Sequence, residues 1–342
     1  SKLGLTHFNS RYKKWLRCLE AEHLDGFLVT HPPNLSYLFN FRGSAGFAYY
    51  MQGESYLIVD SRYLEVAQCQ AVNCEILLAS RSLEATLQDV LIQKRGQRLR
   101  LGFESNRLSH DSSFRIQSWE PKFTWIASVN YIEKLRMIKD EDEIARLEKA
   151  FEIAHTAWKR LKEQFIVGMK ELEVAGLLES EIRRAGGESF AFDTIVASGP
   201  RSSLPHASPG LNPIQPDEKC ILVDFGAKYR GYCSDLTRIY SLPNTSIPSI
   251  YKIVREAQEK ALSIIHPGVS SLEIDQAVRE FITKQGFGDY FGHSTGHGLG
   301  LEVHELPSIS PNKETEIQEN MVFTIEPMVN DEQRSDVPGI FA

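Results

Sequence analysis

The sequence predicts a chain of two domains, an α/β domain followed by an α+β domain. Its length of 342 residues exceeds the ~100–200 residues of most domains. Short apolar runs alternate with helical segments in the first part, whereas amphipathic helices flank strand-like segments in the second. The first pattern is typical of α/β domains and the second of α+β domains. We expect the boundary after residue 130, which gives domains 1–130 and 131–342.

Compact apolar runs predict the strands of the first domain. They are GFLVT at 26–30, SYLIVD at 55–60, CEILL at 74–78 and RLRLGFE at 98–104. Continuous apolar runs of this length are typical of buried strands. Segments 11–21 and 83–93 predict helices, and the first of them carries Trp15 and Leu19 at helical spacing. Because no glycine-rich loop of the GxGxxG or GKS/T type follows a strand, nothing here indicates a nucleotide site.

Two long segments predict helices in the second domain. Segment 138–161 repeats apolar residues every three or four positions after an acidic first turn, which suits the positive end of a helix dipole. Segment 270–286 begins with Ser270 and Glu273 at capping-box spacing and ends in glycine. Further strands are predicted at FDTIVAS (192–198), CILVDFG (220–226), YCSDLTRIY (232–240) and MVFTIEP (321–327).

The composition argues against several classes of protein. A net charge of −7 without a Lys/Arg-rich block argues against nucleic acid as the main partner. No apolar run approaches the ~20 residues of a membrane span, and the N-terminal segment has no signal-peptide core. The five cysteines are an odd number without a CxxC pair, which favours reduced thiols over disulfides. We therefore expect a cytoplasmic globular protein.

Two aspartates interrupt segments that are otherwise apolar. Asp224 follows three apolar residues, and Asp235 lies in the next predicted strand. If Tyr229 and Arg230 form the hairpin loop between them, the two carboxylates face each other, although a bulge at Gly226 would offset the pairing by one residue. Like charges in this arrangement destabilise a strand pair. A bound cation would reverse that effect, so the pair predicts a metal site.

A histidine-rich loop adds an imidazole to these carboxylates. His293, His297 and His304 lie in FGHSTGHGLGLEVHE, where four glycines argue against a helix and favour a loop that runs into a strand. Glu326 ends the apolar segment MVFTI and is followed by proline. A set of aspartate, histidine and glutamate ligands suits Mn²⁺, Co²⁺ or Zn²⁺ and argues against copper or an iron–sulfur cluster.

Four segments together resemble a known family. FDTIVASGPRSSLPHASP, VDFGAKYRGYCSDLTR, GHSTGHGLGLEVHE and FTIEP occur in this order between residues 192 and 327. Their order and spacing resemble the signatures of the aminopeptidase P, prolidase and creatinase group of metallopeptidases, relatives of methionine aminopeptidase. NLSYLFNFRGSAG at 34–46 is similar to the accessory domain of the same group. The resemblance implies a creatinase/prolidase-type N-terminal domain and a catalytic domain with the pita-bread fold.

The resemblance also implies roles for individual residues in a two-metal site. Matches to metal ligands are Asp224, Asp235, His297 and Glu326. Among the substrate contacts, His206 matches the histidine beside the scissile bond, His304 the one at the substrate carbonyl, and His293 the one on the proline side of the pocket. Glu326 would take up the proton of the attacking hydroxide, His304 would stabilise the oxyanion, and His206 would assist at the leaving nitrogen.

The implied reaction is metal-dependent hydrolysis of the bond between an N-terminal residue and proline. That bond has a tertiary nitrogen without an N–H, which defeats peptidases that depend on ordinary backbone hydrogen bonds. Two cations can polarise its carbonyl directly. The substrate would be an Xaa-Pro dipeptide or a longer peptide with proline second. Mn²⁺ is the expected metal, with Co²⁺ and Zn²⁺ as alternatives, and the expected assembly is a homodimer without nucleic-acid or membrane partners.

One expectation concerns the end of the chain. The resemblance implies a last strand of the type V-R-I-E-D that carries a bridging glutamate, whereas this sequence ends VPGIFA. Without that strand we expect unequal metal sites and impaired hydrolysis, since Glu332 and Asp336 lie in a polar segment that would hold a ligand weakly. The alternative is that this is a shortened form of an ordinary active enzyme. A second alternative is a non-catalytic binding protein of the same fold. A third is a creatinase-like amidinohydrolase, but the retained metal-ligand set argues against it.

Overall fold

The computed structural model describes residues 2–203, 207–218, 220–243, 245, 248–329 and 340–341. Side chains are described for these residues except 2–4, 200, 203 and 340–341. The chain divides into two compact units, Ser1–Arg136 and Met137–Ala342. No helix in the described part of the chain is both long enough and apolar enough to cross a lipid bilayer.

The first unit is a mixed six-stranded sheet with helices. In chain order its elements are α1 (Lys2–Ala21), β1 (Gly26–Val29), α2 (Pro32–Phe39), β2 (Phe47–Met51), β3 (Glu54–Val59), α3 (Leu64–Gln70), β4 (Glu75–Leu78), α4 (Leu83–Leu91), β5 (Leu99–Glu104), α5 (His110–Ser118), β6 (Phe123–Ser128) and α6 (Tyr131–Arg136). The strand order is β4-β3-β2-β1-β5-β6. The pairs β1/β2 and β2/β3 are antiparallel, whereas the other neighbours are parallel.

The four strands and two helices predicted for this unit are confirmed, but the sequence interpretation missed β2 and β6. A two-residue loop of Gln52 and Gly53 joins β2 to β3, and both residues have positive φ, 52° and 91°. Positive φ at both loop positions is the pattern of a type I′ hairpin turn. The Gln-Gly pair between two apolar runs was therefore a usable hairpin signal.

The second unit combines two helix pairs with several small sheets. In chain order its elements are α7 (Glu141–Gln164), α8 (Glu171–Arg184), β7 (Ser189–Phe190), β8 (Ile195–Ser198), β9 (Cys220–Phe225), β10 (Ala227–Tyr229), β11 (Tyr232–Cys233), β12 (Leu236–Ser241), α9 (Ser249–Ile264), α10 (Ser271–Lys284), β13 (Gly296–Gly298), β14 (Glu305–Ile309), β15 (Met328–Val329) and β16 (Ile340–Phe341). The sheets are β12-β9-β8, β11-β10-β7, β13-β14 and β15-β16.

Two hydrophobic cores support the second unit. In the first, apolar side chains of α7 and α8, including Trp158 and Leu178, pack with Val223 and Phe225 of β9. In the second, residues of α9 and α10 pack around Ile325 and other apolar residues near the histidine loop. Each core therefore supports one part of the chain in which the sequence places candidate ligands.

Both predicted helices of this unit form, but one predicted cap does not. Helix α7 begins with a capping box. The Oδ1 of Asp140 accepts from the backbone N–H of Glu143 at 2.9 Å, and the Oε1 of Glu143 accepts from the backbone N–H of Asp140 at 3.2 Å. At α10 the Oγ of Ser270 accepts from Leu272 N at 3.2 Å and donates to Glu314 Oε1 at 3.0 Å. The expected capping box of Ser270 and Glu273 is wrong, because the Oγ of Ser270 bonds to the N–H of Leu272, one residue before Glu273, and to the side chain of Glu314.

The predicted hairpin between the two aspartates exists, but its loop lies one residue further along than expected. The loop residues are Arg230 and Gly231, with φ of 45° and 88°, which is again the type I′ pattern. The predicted loop of Tyr229 and Arg230 is wrong, since Tyr229 pairs within β10. Glycine at the second loop position explains the difference, because it adopts positive φ without strain.

This loop shifts the strand pairing by two residues. Asp224 faces Thr237 in the β9/β12 pair and does not face Asp235. Since side chains in a strand alternate between faces, residues two positions apart lie on the same face. Asp235 therefore remains on the face of Asp224 as its diagonal neighbour, and the predicted proximity of the two carboxylates survives the wrong register.

Two further strand predictions need correction. YCSDLTRIY is divided between β11 and β12, with Asp235 between them. MVFTIEP is not a continuous strand, because it makes only isolated bridges, from Met321 to Ile138 and from Phe323 to Gly298. Glu326 thus lies in an irregular segment just before β15, and not at the end of a strand.

Candidate metal centre and cavity

A cavity of about 370 Å³ lies in the second unit. Its lining consists of Phe192, Asp193, Thr194, Ile195, Ala207, Ser208, Pro209, Asp224, Asp235, Val303, His304 and Glu326. The volume is within the range of ~300–1,000 Å³ that is usual for small-molecule sites. Acidic residues, a histidine and apolar side chains therefore line one open cavity.

The imidazole of His297 is carried by the short strand β13. Its neighbours Gly296 and Gly298 leave no room for a side chain, since an added Cβ would lie 1.8 Å from the carbonyl oxygen of Thr324 and 2.1 Å from that of Leu306, respectively. The Nδ1 of His297 lies 2.9 Å from the carbonyl oxygen of Gly298. If Nδ1 carries the proton and donates it there, Nε2 is free to bind a metal.

Glu326 is positioned by backbone hydrogen bonds to the histidine segment. Its N–H donates to the carbonyl oxygen of Thr295 at 2.8 Å, and the N–H of Thr324 donates to that of His297 at 2.8 Å. Thr324 Oγ1 also accepts from the N–H of His297 at 3.2 Å. These bonds replace the ladder of the predicted strand and hold Glu326 beside His297.

Asp235, His297 and Glu326 converge at one point. The Nε2 of His297 lies 3.3 Å from Oδ2 of Asp235 and 2.6 Å from Oε1 of Glu326. One ligand atom from each residue lies within 4.8 Å of the others. The three side chains are mostly buried, with exposures of 14% for His297, 6% for Asp235 and 22% for Glu326. A carboxylate–imidazole–carboxylate set of this size can hold a divalent cation.

The hydrogen bonding at this point fits a metal ion better than a closed network of side chains. The Nε2 of His297 lies 2.6 Å from Oε1 of Glu326, but it satisfies the criteria for a hydrogen bond with no described residue. The buried Oδ1 of Asp224 likewise has none in that part of the chain. Buried polar atoms without partners are costly. A cation between these atoms would remove that cost.

Burial and mutual repulsion disturb the ionisation of these groups in the metal-free protein. Burial, followed by the charges of Asp235 and Glu326, raises the pKa of Asp224 to about 8. Burial also raises the pKa of Asp235. Burial alone would lower the pKa of His297, but the carboxylates of Asp235 and Glu326 outweigh it and raise the pKa to about 10. Protons thus occupy the site where a cation would balance the carboxylates.

The three histidines that we expected to contact the substrate differ in their positions. His304 lines the cavity, and its ring centroid lies 4.1 Å from that of His297. His293 is exposed and does not line the cavity; its carbonyl oxygen accepts from Nη2 of Arg279 at 3.1 Å. His206 lies outside the described residues, as do Glu332 and Asp336.

The sequence interpretation gave no role to much of the cavity wall. Phe192, Asp193 and Thr194 line it before β8, and Ala207, Ser208 and Pro209 line it after the turn that follows β8. All six lie in FDTIVASGPRSSLPHASP, the segment from which only His206 was selected. Only the segment as a whole could have indicated that these residues line the cavity, since single residues of these types carry no recognisable chemistry.

Comparison with known proteins identifies both units. Residues 145–341 match the model of metallopeptidase family M24, and residues 11–138 match that of the creatinase/prolidase N-terminal domain. An Xaa-Pro dipeptidase from Pyrococcus horikoshii is 36% identical over 324 residues, which cover 93% of this chain and 89% of that protein.

Solved structures share the fold over nearly the whole chain. The Xaa-Pro dipeptidase from Bacillus anthracis matches with a TM-score of 0.88 and 33% identity, and covers 98% of this chain and 93% of its own. The X-Pro aminopeptidase from Thermotoga maritima matches with a TM-score of 0.83 and 36% identity, over 93% and 91% of the two chains. The protein is therefore an enzyme of metallopeptidase family M24, and it belongs to the aminopeptidase P and prolidase group with the pita-bread fold.

Proposed function

We propose that the protein hydrolyses the peptide bond between an N-terminal residue and proline, in Xaa-Pro dipeptides or in longer peptides with proline second. The observation that carries this proposal is the convergence of Asp235, His297 and Glu326 in a cavity that His304 also lines. The names of the similar proteins, an Xaa-Pro dipeptidase and an X-Pro aminopeptidase, support the substrate class.

Asp224, Asp235, His297 and Glu326 are the proposed metal ligands, with Mn²⁺ as the proposed ion and Co²⁺ or Zn²⁺ as alternatives. Carboxylate and imidazole donors suit all three ions. When bound, the metal supplies Lewis-acid polarisation of the carbonyl and activation of water. The Nδ1 contact of His297 with Gly298 orients the imidazole for this role.

The chain's own side chains handle protons and the substrate. Glu326 takes up the proton of the attacking hydroxide, because its carboxylate faces the cavity beside His297. His304 donates a hydrogen bond to the carbonyl oxygen as negative charge develops there. His206 assists at the proline nitrogen. The resemblance also assigns His293 to the proline side of the pocket, but this residue is exposed and lies outside the cavity lining, so we propose no direct substrate contact for it. The apolar side chains of Phe192, Ile195 and Val303 exclude water from the remaining wall.

A paired measurement tests the proposal. Metal content is determined by mass spectrometry, and the loaded protein is assayed with Gly-Pro and with Xaa-Pro-Xaa tripeptides. The matched control peptides carry alanine in place of proline. We expect cleavage of the proline peptides only, and the ratio of dipeptide to tripeptide rates distinguishes the two substrate lengths. A metal-loaded protein that cleaves neither proline peptide would exclude the proposed activity.

We further propose a cytoplasmic homodimer. The odd number of cysteines without a CxxC pair supports a reducing compartment. The dimer rests on the resemblance to the aminopeptidase P and prolidase group. Analytical ultracentrifugation measures the mass in solution, and a species at 38.8 kDa, the mass of one chain, would exclude the dimer.

A further inference from the structure

A buried carboxylate away from the candidate ligands joins several points that flank the cavity wall. Glu171 is the first residue of α8, and only 2% of its surface is exposed. Its Oε2 accepts from N and Oγ of Ser198 at 2.7 and 3.0 Å. Its Oε1 accepts from Nε of Arg201 at 3.0 Å and from N of Gly210 at 2.9 Å. Four donors fill the acceptor capacity of one carboxylate.

These donors flank a segment that lines the cavity. Ser198 ends β8, which starts at the lining residue Ile195, and Gly210 directly follows the lining residues 207–209. Arg201 extends the link, because its Nη2 donates to the carbonyl oxygen of Ser208 at 2.5 Å. The chain between Ser198 and Gly210 is therefore tied at both ends, and at one lining residue, to a single side chain.

The fit around Glu171 leaves little freedom at Gly210. A Cβ at Gly210 would lie 3.0 Å from Oε1 of Glu171. An acidic residue in the first turn of a helix is normally explained by the helix dipole. That explanation does not account for complete burial or for donors drawn from three separate positions, because a buried charge is costly unless it is fully hydrogen-bonded.

We propose that Glu171 is a positioning residue, which acts through Ser198, Arg201 and Gly210 to fix the cavity wall formed by residues 207–209. Its effect on peptide binding rests on the proposed function, whereas its effect on the wall does not. The position of the wall sets the space available to the substrate, so Glu171 influences substrate binding without touching the candidate metal ligands.

The test uses Glu171→Gln in the full chain loaded with Mn²⁺. The amide can accept on one side only, so its NH₂ group faces either the donors of Ser198 or those of Arg201 and Gly210. We expect amide hydrogen exchange of segment 196–212 to become about tenfold faster, which corresponds to the loss of about one hydrogen bond. We expect KM for Gly-Pro to rise about tenfold, while kcat and the Kd for Mn²⁺ change less than about threefold.

Glu181→Gln is the matched control. Glu181 lies on the same helix, is 3% exposed, and accepts from Nε2 of Gln164 and Nη1 of Arg184, both at 3.1 Å. It does not line the cavity. We expect this variant to leave both the exchange of segment 196–212 and KM unchanged. A general loss of stability would affect the two variants alike.

Arg201→Lys provides a milder variant in case Glu171→Gln folds poorly. Lysine keeps the charge but cannot reach Glu171 and Ser208 together as the guanidinium does, so we expect the same changes at smaller size. Unchanged exchange in segment 196–212, or equal changes in Glu181→Gln, would overturn the proposal. If the wild type does not cleave Gly-Pro, the proposed function fails, and the exchange comparison still decides the role of Glu171.

Discussion

Each of the two units buries a group of carboxylates, and among the described residues the first group has more hydrogen-bond donors around it than the second. In the N-terminal unit, Glu104 is 3% exposed and accepts from the N–H groups of Thr30 and His31 at 2.7 and 2.9 Å and from Nδ2 of Asn34 at 2.5 Å. The same Nδ2 donates to Oε1 of Glu133 at 3.0 Å. Backbone and side-chain donors of the unit thus surround both carboxylates.

Positive charge completes the N-terminal group. Arg136 donates from Nη1 to Oδ1 of Asn34 at 2.9 Å, and Arg107 lies 3.4 Å from Glu133. In the catalytic unit, Asp235 and Glu326 both lie within 3.3 Å of Nε2 of His297, while the buried Oδ1 of Asp224 has no hydrogen-bond partner among the described residues. The difference indicates that donors within the first unit satisfy its carboxylates, whereas the second group is suited to an external cation of the kind that metallopeptidase family M24 implies.

Removing Asp235 tests the comparison most severely. We expect Asp235→Ala to lose bound metal and to lower Xaa-Pro hydrolysis by about 10³-fold or more, since the metal contributes several kcal/mol to the transition state. The fold should persist, because the change also relieves repulsion with Asp224. Thermal melts with and without Mn²⁺ measure this. At about 100 times Kd the wild type should gain about 2.7 kcal/mol and the variant almost none, and an equal response would refute the ligand assignment.

Replacing His304 separates substrate contact from metal binding. We expect His304→Ala to lower kcat/KM for Gly-Pro about 10²-fold, the usual cost of one preorganised donor in the transition state. Metal content should stay at the wild-type level, because the three convergent atoms belong to other residues. Loss of metal in this variant would instead make His304 a ligand.

Replacing Asn34 tests the carboxylates of the N-terminal unit, for which we expect a loss of stability that does not depend on metal. Asn34 is completely buried and contacts both carboxylates and Arg136. We expect Asn34→Leu to lower the free energy of unfolding by about 2 kcal/mol, since buried charged groups lose their partner. Added Mn²⁺ should not change this loss. Urea denaturation with and without the metal measures it, and a stable variant would show that this network is dispensable.

The smallest effect is expected for Asp224→Asn without metal. The pKa of Asp224 rises from 3.8 to about 8 on folding, so the folded protein binds one proton more than the unfolded chain between these values. Metal-free wild type therefore loses stability as pH rises from 3.8 to about 8. The variant lacks this titration and should be about 1 kcal/mol more stable near neutral pH. A less stable metal-free variant would contradict the cost that we assign to the unpaired Oδ1 of Asp224.

Much of the candidate metal centre could be predicted because its residues interrupt apolar sequence. Asp224 and Asp235 were recognisable within predicted strands, and His297 within a glycine-rich segment. The wrong position of the hairpin loop did not change the predicted proximity of the two carboxylates, since a register error of two residues keeps every side chain on its face of the sheet. Glu326 was found on an incorrect premise, because the predicted strand is an irregular segment held by Thr295.

The support of the cavity could not be predicted in the same way. Glu171 stands in an ordinary acidic helix start, and its partner Gly210 lies 39 positions away in sequence. Periodicity reports which face of a helix is buried, but it does not report which distant backbone N–H a side chain meets. Contacts of this kind depend on the path by which a long connecting segment comes back to the end of a helix. A single sequence carries no local signal for that path.

The two glycines beside His297 have a consequence for how this protein can vary. Every nucleotide substitution that changes a glycine codon to that of another amino acid adds a Cβ, and at positions 296 and 298 that atom would meet a backbone carbonyl. Repacking of side chains cannot relieve such a clash. The backbone that presents the imidazole of His297 is therefore restricted to glycine at positions 296 and 298, whatever substitutions occur elsewhere around the cavity.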